Sequence, residues 1–80
     1  MNKKVLLSFD NTEEVRDFIK NNESGLYSGK NVDGAKVIVT IGKGNGMDVK
    51  TLQSNGWWVI HEYDKMGYLV SESFEKNHTA

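Results

Sequence analysis

Eighty residues leave room for one domain with a small core. With 38% hydrophobic and 26% charged residues and a formal net charge of −1, the composition is that of an ordinary folded domain. It supplies no global field toward nucleic acid or an anionic membrane. The absence of cysteine excludes disulfides, thiol nucleophiles and thiolate metal sites. No apolar run approaches the roughly 20 residues that span a bilayer, and MNKKVLLSFD lacks the apolar core and cleavage site of a secretory signal. A soluble, cytoplasmic protein is the expectation. Nine of the ten basic residues are Lys, and the single Arg is Arg16, so bidentate forks for phosphate or guanine edges are almost missing.

The first element predicted is a short strand over Lys4 to Phe9, with Val5, Leu7 and Phe9 on one face. A helix over Asn11–Asn22 follows. Asn11 with Glu14 three residues later fits a capping box, Thr12 competes as cap, and Val15, Phe18 and Ile19 form one apolar stripe. Gly25 is placed to close that helix in the left-handed conformation. Asp33-Gly34 marks a hairpin; read as a two-residue turn, it sets Val32 opposite Ala35 and Leu26 opposite Ile41. The outgoing arm AKVIVTI reads as a central strand with Val37, Val39 and Ile41 on one face.

After the glycine-rich loop 42–46, Asp48 can cap a two-turn helix, with Met47 and Leu52 as a hydrophobic staple and Asn55-Gly56 as the stop. The competing reading is an extended segment with Met47, Val49 and Thr51 on one face; the agreement of cap, staple and stop favours the helix. WWVIHEYDKMGYLVSESFEK is a second hairpin, its Asp64-x-x-Gly67 spacing that of a type I turn closed by a glycine bulge. Pairing Tyr63 with Tyr68 puts Trp57, Val59, His61, Tyr63, Val70, Glu72 and Phe74 on one face, and Trp58, Ile60, Glu62 and Leu69 on the other. The expected fold is therefore α+β, a single domain over residues 1–75 with a tail at 76–80. Its sheet has four or five strands, antiparallel or mixed, with two short helices in the order β-α-β-β-α-β-β.

Three constellations bear on function. Gly42, Lys43, Gly44, Asn45 and Gly46 sit between a strand and an expected helix start, where phosphate loops sit. They match neither the Walker nor the dinucleotide fingerprint, and Asp48 competes for the amides that an anion needs. His61 and Glu72 are diagonal neighbours in the expected register and form the one acid–base pair with a structural argument; a satisfied polar pair at a sheet margin is the commoner use of such residues. No serine nucleophile, metal-ligand spacing or cofactor motif accompanies them.

The tandem Trp57-Trp58 is the most suggestive feature, because adjacent strand residues point to opposite faces. Trp57 is expected in the core. Trp58, with Ile60 and Leu69, is expected to form an apolar interface on the outer sheet face, unless a helix, the N-terminal strand or a long side chain covers it. Lys30, Lys36, Lys43 and Lys50 make residues 30–50 net +2, whereas the aromatic segment 57–75 is net −3. That separation argues against a base-stacking surface. The reading is a non-catalytic protein-binding module, an inhibitor, adaptor or self-associating subunit, whose partner is another protein or a second copy. A ligand or nucleotide binder using residues 42–46 or an aromatic pocket is the alternative, followed by a nucleic-acid binder. No cofactor, metal or membrane contact is expected.

Overall fold

In a computed structural model describing residues 6–44 and 46–76, helix α1 spans Thr12–Asn21. Asn11 is its cap: the Asn11 side-chain oxygen accepts from the Glu14 amide at 2.9 Å, and Glu14 Oε1 accepts from the Asp10 amide at 2.8 Å. The two side chains thus satisfy two amides at the helix start reciprocally. The helix closes at Asn22, in extended backbone, whose side-chain amide donates to the Phe18 carbonyl at 2.9 Å. Gly25 opens the first strand instead of closing the helix.

Five strands follow: β1 Gly25–Lys30, β2 Lys36–Ile41, β3 Met47–Leu52, β4 Trp57–Tyr63 and β5 Leu69–Lys76. Each pairs antiparallel with the next, so the sheet is a meander in sequence order. Three of its four turns use one device. The amide of the fourth turn residue donates to the carbonyl of the first: Gly34 to Asn31, Gly56 to Gln53, and Gly67 to Asp64. The first residue's amide then donates to the carbonyl four residues on, closing a type I turn with a glycine bulge. Asn31 and Asp64 each brace their turn with a side-chain oxygen that accepts two amides.

Several expectations are corrected. Of the N-terminal strand, residues 4 and 5 lie outside the described residues, and the rest contributes one parallel bridge, Leu6 to Lys30, with the Leu7 amide donating to the Lys30 carbonyl at 2.8 Å. The first hairpin is closed by the Asn31 turn, so Lys30 faces Lys36 and Leu26 faces Thr40. The second helix does not form. Residues 47–52 are strand β3, paired on one side to β2 and on the other to β4. Both edges of the segment gain a ladder, which outweighs the local cap and staple. The last hairpin is displaced too: a bulge at Glu62/Tyr63 pairs Tyr63 with Leu69, His61 with Glu72 and Val59 with Phe74. Of the expected tail, Lys76 ends β5 and residues 77–80 lie outside the described residues.

The core lies between α1 and the β2–β3 half of the sheet. Val15 of the helix and Leu7 pack on Val37, Val39, Ile41, Met47 and Val49, with Phe9, Phe18, Ile19, Tyr27 and Tyr63 around them. Phe18 is central to the aromatic part, edge-on to both Phe9 and Tyr27 at 5.3 and 5.5 Å between ring centroids. The smallest molecular extent, 21 Å, is that of one helix layer on one sheet layer. Among the described residues no helix is long and apolar enough to cross a membrane.

Two glycines fix how the layers meet. At Gly67, φ is +93° and a Cβ would overlap the Thr12 carbonyl oxygen and press on the Arg16 amide, so the β4–β5 turn lies against the first turn of α1. At Gly46, φ is +87° and a Cβ would overlap the Tyr63 carbonyl oxygen. Gly34 has a similar φ of +85° but faces open space. Gly34→Ala is therefore expected to cost about 1–2 kcal/mol for the backbone alone. Gly67→Ala and Gly46→Ala should each cost roughly twice that, because overpacking adds to it. Urea denaturation of the three variants checks the ranking.

Candidate functional site

The strand register sorts the side chains onto a helix face and an open face. Tyr27, Val39, Val49, His61 and Glu72 form one cross-strand row on the helix face, and Gly29, Val37, Thr51, Val59 and Phe74 form the next. Helix α1 covers the β1–β3 end of these rows. Leu69, 56% exposed, lies apart, beyond the His61–Glu72 row and beside the start of the helix. At the other end of β4 and β5, Phe74 is 57% and Trp57 42% exposed, with Val59 half-buried beside them. This is an apolar strip on the helix side of the sheet, beyond the reach of the helix.

The open face holds Trp58 and Ile60, but not Leu69. The bulge sets Leu69 opposite Tyr63 on the helix side, and Leu69 lines a shallow depression with Phe9, Val15 and Gly67. Trp58 is only 8% exposed. Its cover is a long side chain: Lys50 of β3 reaches across β4, its Nζ 5.2 Å from the centre of the Trp58 ring, and bonds Glu75 of β5 at 2.8 Å. Ile60 is half-buried in the same row as Lys50. Trp57, expected in the core, is instead the more exposed tryptophan, because it stands at the start of β4 past the helix footprint. The structure thus separates Leu69 from Trp58 and Ile60, and reverses the burial of the two indoles.

The glycine-rich loop is a strand-to-strand turn, with the Gly42 amide donating to the Gly46 carbonyl at 3.1 Å; Asn45 lies outside the described residues. No helix N-terminus follows it, since Met47 begins β3. Gly42, Gly44 and Gly46 border an open concavity of about 500 Å³ on the open face, lined also by Thr40, Asp48, Glu62, Asp64, Lys65 and Val70; Lys43 is exposed in the same turn. Asp48 and Glu62 are directly opposite in the β3–β4 ladder. Partial burial, then the charge of Glu62, raises the Asp48 pKa above its ordinary value. A phosphate entering here meets the carboxylates of Asp48, Glu62 and Asp64 against the one lining ammonium of Lys65, so the charge pattern opposes a nucleotide and suits a cationic or neutral group. Ser71 donates from its hydroxyl to Glu62 and holds that carboxylate in place.

His61 and Glu72 do come together. They face each other directly, Nε2 to Oε2 at 2.7 Å, as a pair whose side chains approach closely across an antiparallel ladder. Both are partly exposed, and Tyr63 lies near the imidazole at 6.4 Å between rings. Among the described residues no three His, Cys, Asp or Glu side chains are grouped to hold a metal ion.

Two outcomes are expected. Trp58→Ala should cost about 3–5 kcal/mol, the range for a buried Trp, and Trp57→Ala markedly less, as read by urea denaturation. Asp48→Asn should raise the denaturation midpoint at neutral pH. A carboxyl whose folded pKa lies above its unfolded one binds its proton more tightly when folded. Stability therefore falls as pH rises from the ordinary carboxylate range through the raised value, and stays lowered above it. The Asn variant should lose that part of the slope.

Comparison with protein-family models, with curated proteins and with solved structures finds no match for this chain.

Proposed function

We propose that this chain is a small non-catalytic protein-binding module and that its contact surface is the helix-side strip of β4 and β5. One observation supports this above the others: Trp57 and Phe74 are exposed in a domain whose one described helix is already committed to the β1–β3 core. A strand pair that leaves two large aromatics open to water gains by covering them, and Trp in particular supplies large contact area at little entropic cost. The outer-face patch built on Trp58, Ile60 and Leu69 is the weaker version of the same reading, since Lys50 and Glu75 already roof Trp58. Ligand binding at residues 42–46 is disfavoured for anions by Asp48 and Glu62.

A photo-cross-linking residue placed singly at Trp57 or Phe74 tests the surface. The expected result is a discrete adduct from both positions and none from Asp17, on the exposed side of α1. Equal adducts from all three, or none from the strip, would overturn the assignment.

A further inference from the structure

The turn bonds reveal which way each strand's backbone groups point. The Gln53 amide donates to the Trp57 carbonyl at 2.8 Å, so Trp57, Val59 and His61 direct their backbone groups to β3, and Trp58, Ile60 and Glu62 direct theirs to β5. Ser71, Ser73 and Glu75 therefore bond β4. Glu72, Phe74 and Lys76 turn their N–H and C=O groups outward, where no described strand lies. The opposite edge is treated differently: the Lys30 carbonyl on the outside of β1 is taken by the Leu7 amide. Strand β5 carries no proline, and its eight residues form the longest edge in the sheet.

We infer that the partner of this surface is a second copy of the chain, joined β5 to β5 antiparallel with the two-fold axis at Phe74. This rests on the protein-binding reading above and names its occupant. The register is set by charge. With Phe74 opposite Phe74, Glu72 of one copy stands opposite Lys76 of the other, twice by symmetry, and these are the residues with outward backbone groups. Moving the axis to Ser73 sets Glu72 against Phe74. Centring it on Glu72 sets two carboxylates face to face. Only the Phe74 register matches unlike charges and brings the two rings together. Glu72, Phe74 and Lys76 also share the helix face, so the row Val37–Thr51–Val59–Phe74 continues across the axis into its own copy, and the exposed ring is covered from the side by its equivalent.

Sedimentation velocity over a wide concentration range tests the inference through charge reversal. The wild-type chain is expected to dimerise. Glu72→Lys and Lys76→Glu should each weaken the dimer at least tenfold, because each sets like charges opposite. An equimolar mixture of the two variants should re-form a dimer, since each copy then supplies the sign the other lacks, and the double variant should dimerise by itself. Circular dichroism checks that Glu72→Lys still folds after losing its His61 contact; Lys76→Glu leaves that contact intact and carries the same expectation separately. A wild-type monomer at all concentrations would overturn the inference, as would single reversals without effect or a mixture that stays monomeric. A monomer that still yields the strip-specific adduct with another protein refutes the second copy alone. A monomer with no such adduct refutes the binding surface as well.

Discussion

The width of the sheet against the width of its helix governs most of what this structure does. Strands about 4.8 Å apart make a five-stranded sheet roughly 19 Å across, whereas a helix with its side chains is about 10–12 Å wide. The ten residues of α1 can shield little more than half of one face, and Val15, Phe18 and Ile19 place that shield over β1, β2 and β3. The position is set by contact. Gly67 lets the β4–β5 turn reach the first turn of α1, and Phe18 stacks edge-on between Phe9 and Tyr27. What remains of β4 and β5 is held by ladder bonds and turns and stays open on the helix side. The exposed Trp57 and Phe74 follow from that geometry.

The open face solves a similar problem by other means. No described helix lies on that side, and Trp58 is buried by the stem and charge of Lys50 and by the carboxylate of Glu75, which together span three strands. A long amphipathic side chain can cover apolar surface while its charged end remains in water. The same face gathers Asp48 and Glu62 beside the glycine loop, where like charges stand opposite each other. Partial burial first, and then this like-charge pairing, raise the Asp48 pKa above its ordinary value.

Local signals were legible where the chain satisfies itself within a few residues. Asn11 and Glu14 specify the helix start, and the Asp64-x-x-Gly67 spacing specifies its turn; both occur as read. The cap, staple and stop of segment 47–52 are also local, but what decides its state is pairing with Val37–Ile41 on one side and Trp58–Tyr63 on the other, which no local signal carries. The roles of the two tryptophans depend on still more distant facts. Alternation places them on opposite faces, but which face receives the helix, and that Lys50 reaches Glu75 twenty-five residues away, are tertiary outcomes. The bulge at Glu62/Tyr63 moved Leu69 to the other face, an effect of one residue that no periodicity reveals. His61 and Glu72 were legible as neighbours because their pairing shifts by two residues from the expected one, which keeps both on one face.

Residue-resolved amide hydrogen exchange, followed as a function of protein concentration, tests the central claim that β5 is an open edge awaiting its own copy. In dilute solution the account expects alternation along β5: slow exchange at Ser71, Ser73 and Glu75, which bond β4, and fast exchange at Glu72, Phe74 and Lys76. Raising the concentration should slow those three amides and leave Leu26 and Ser28 on the β1 edge unchanged. Protection of Glu72, Phe74 and Lys76 that is absent at every concentration, or that rises equally on β1, would contradict it.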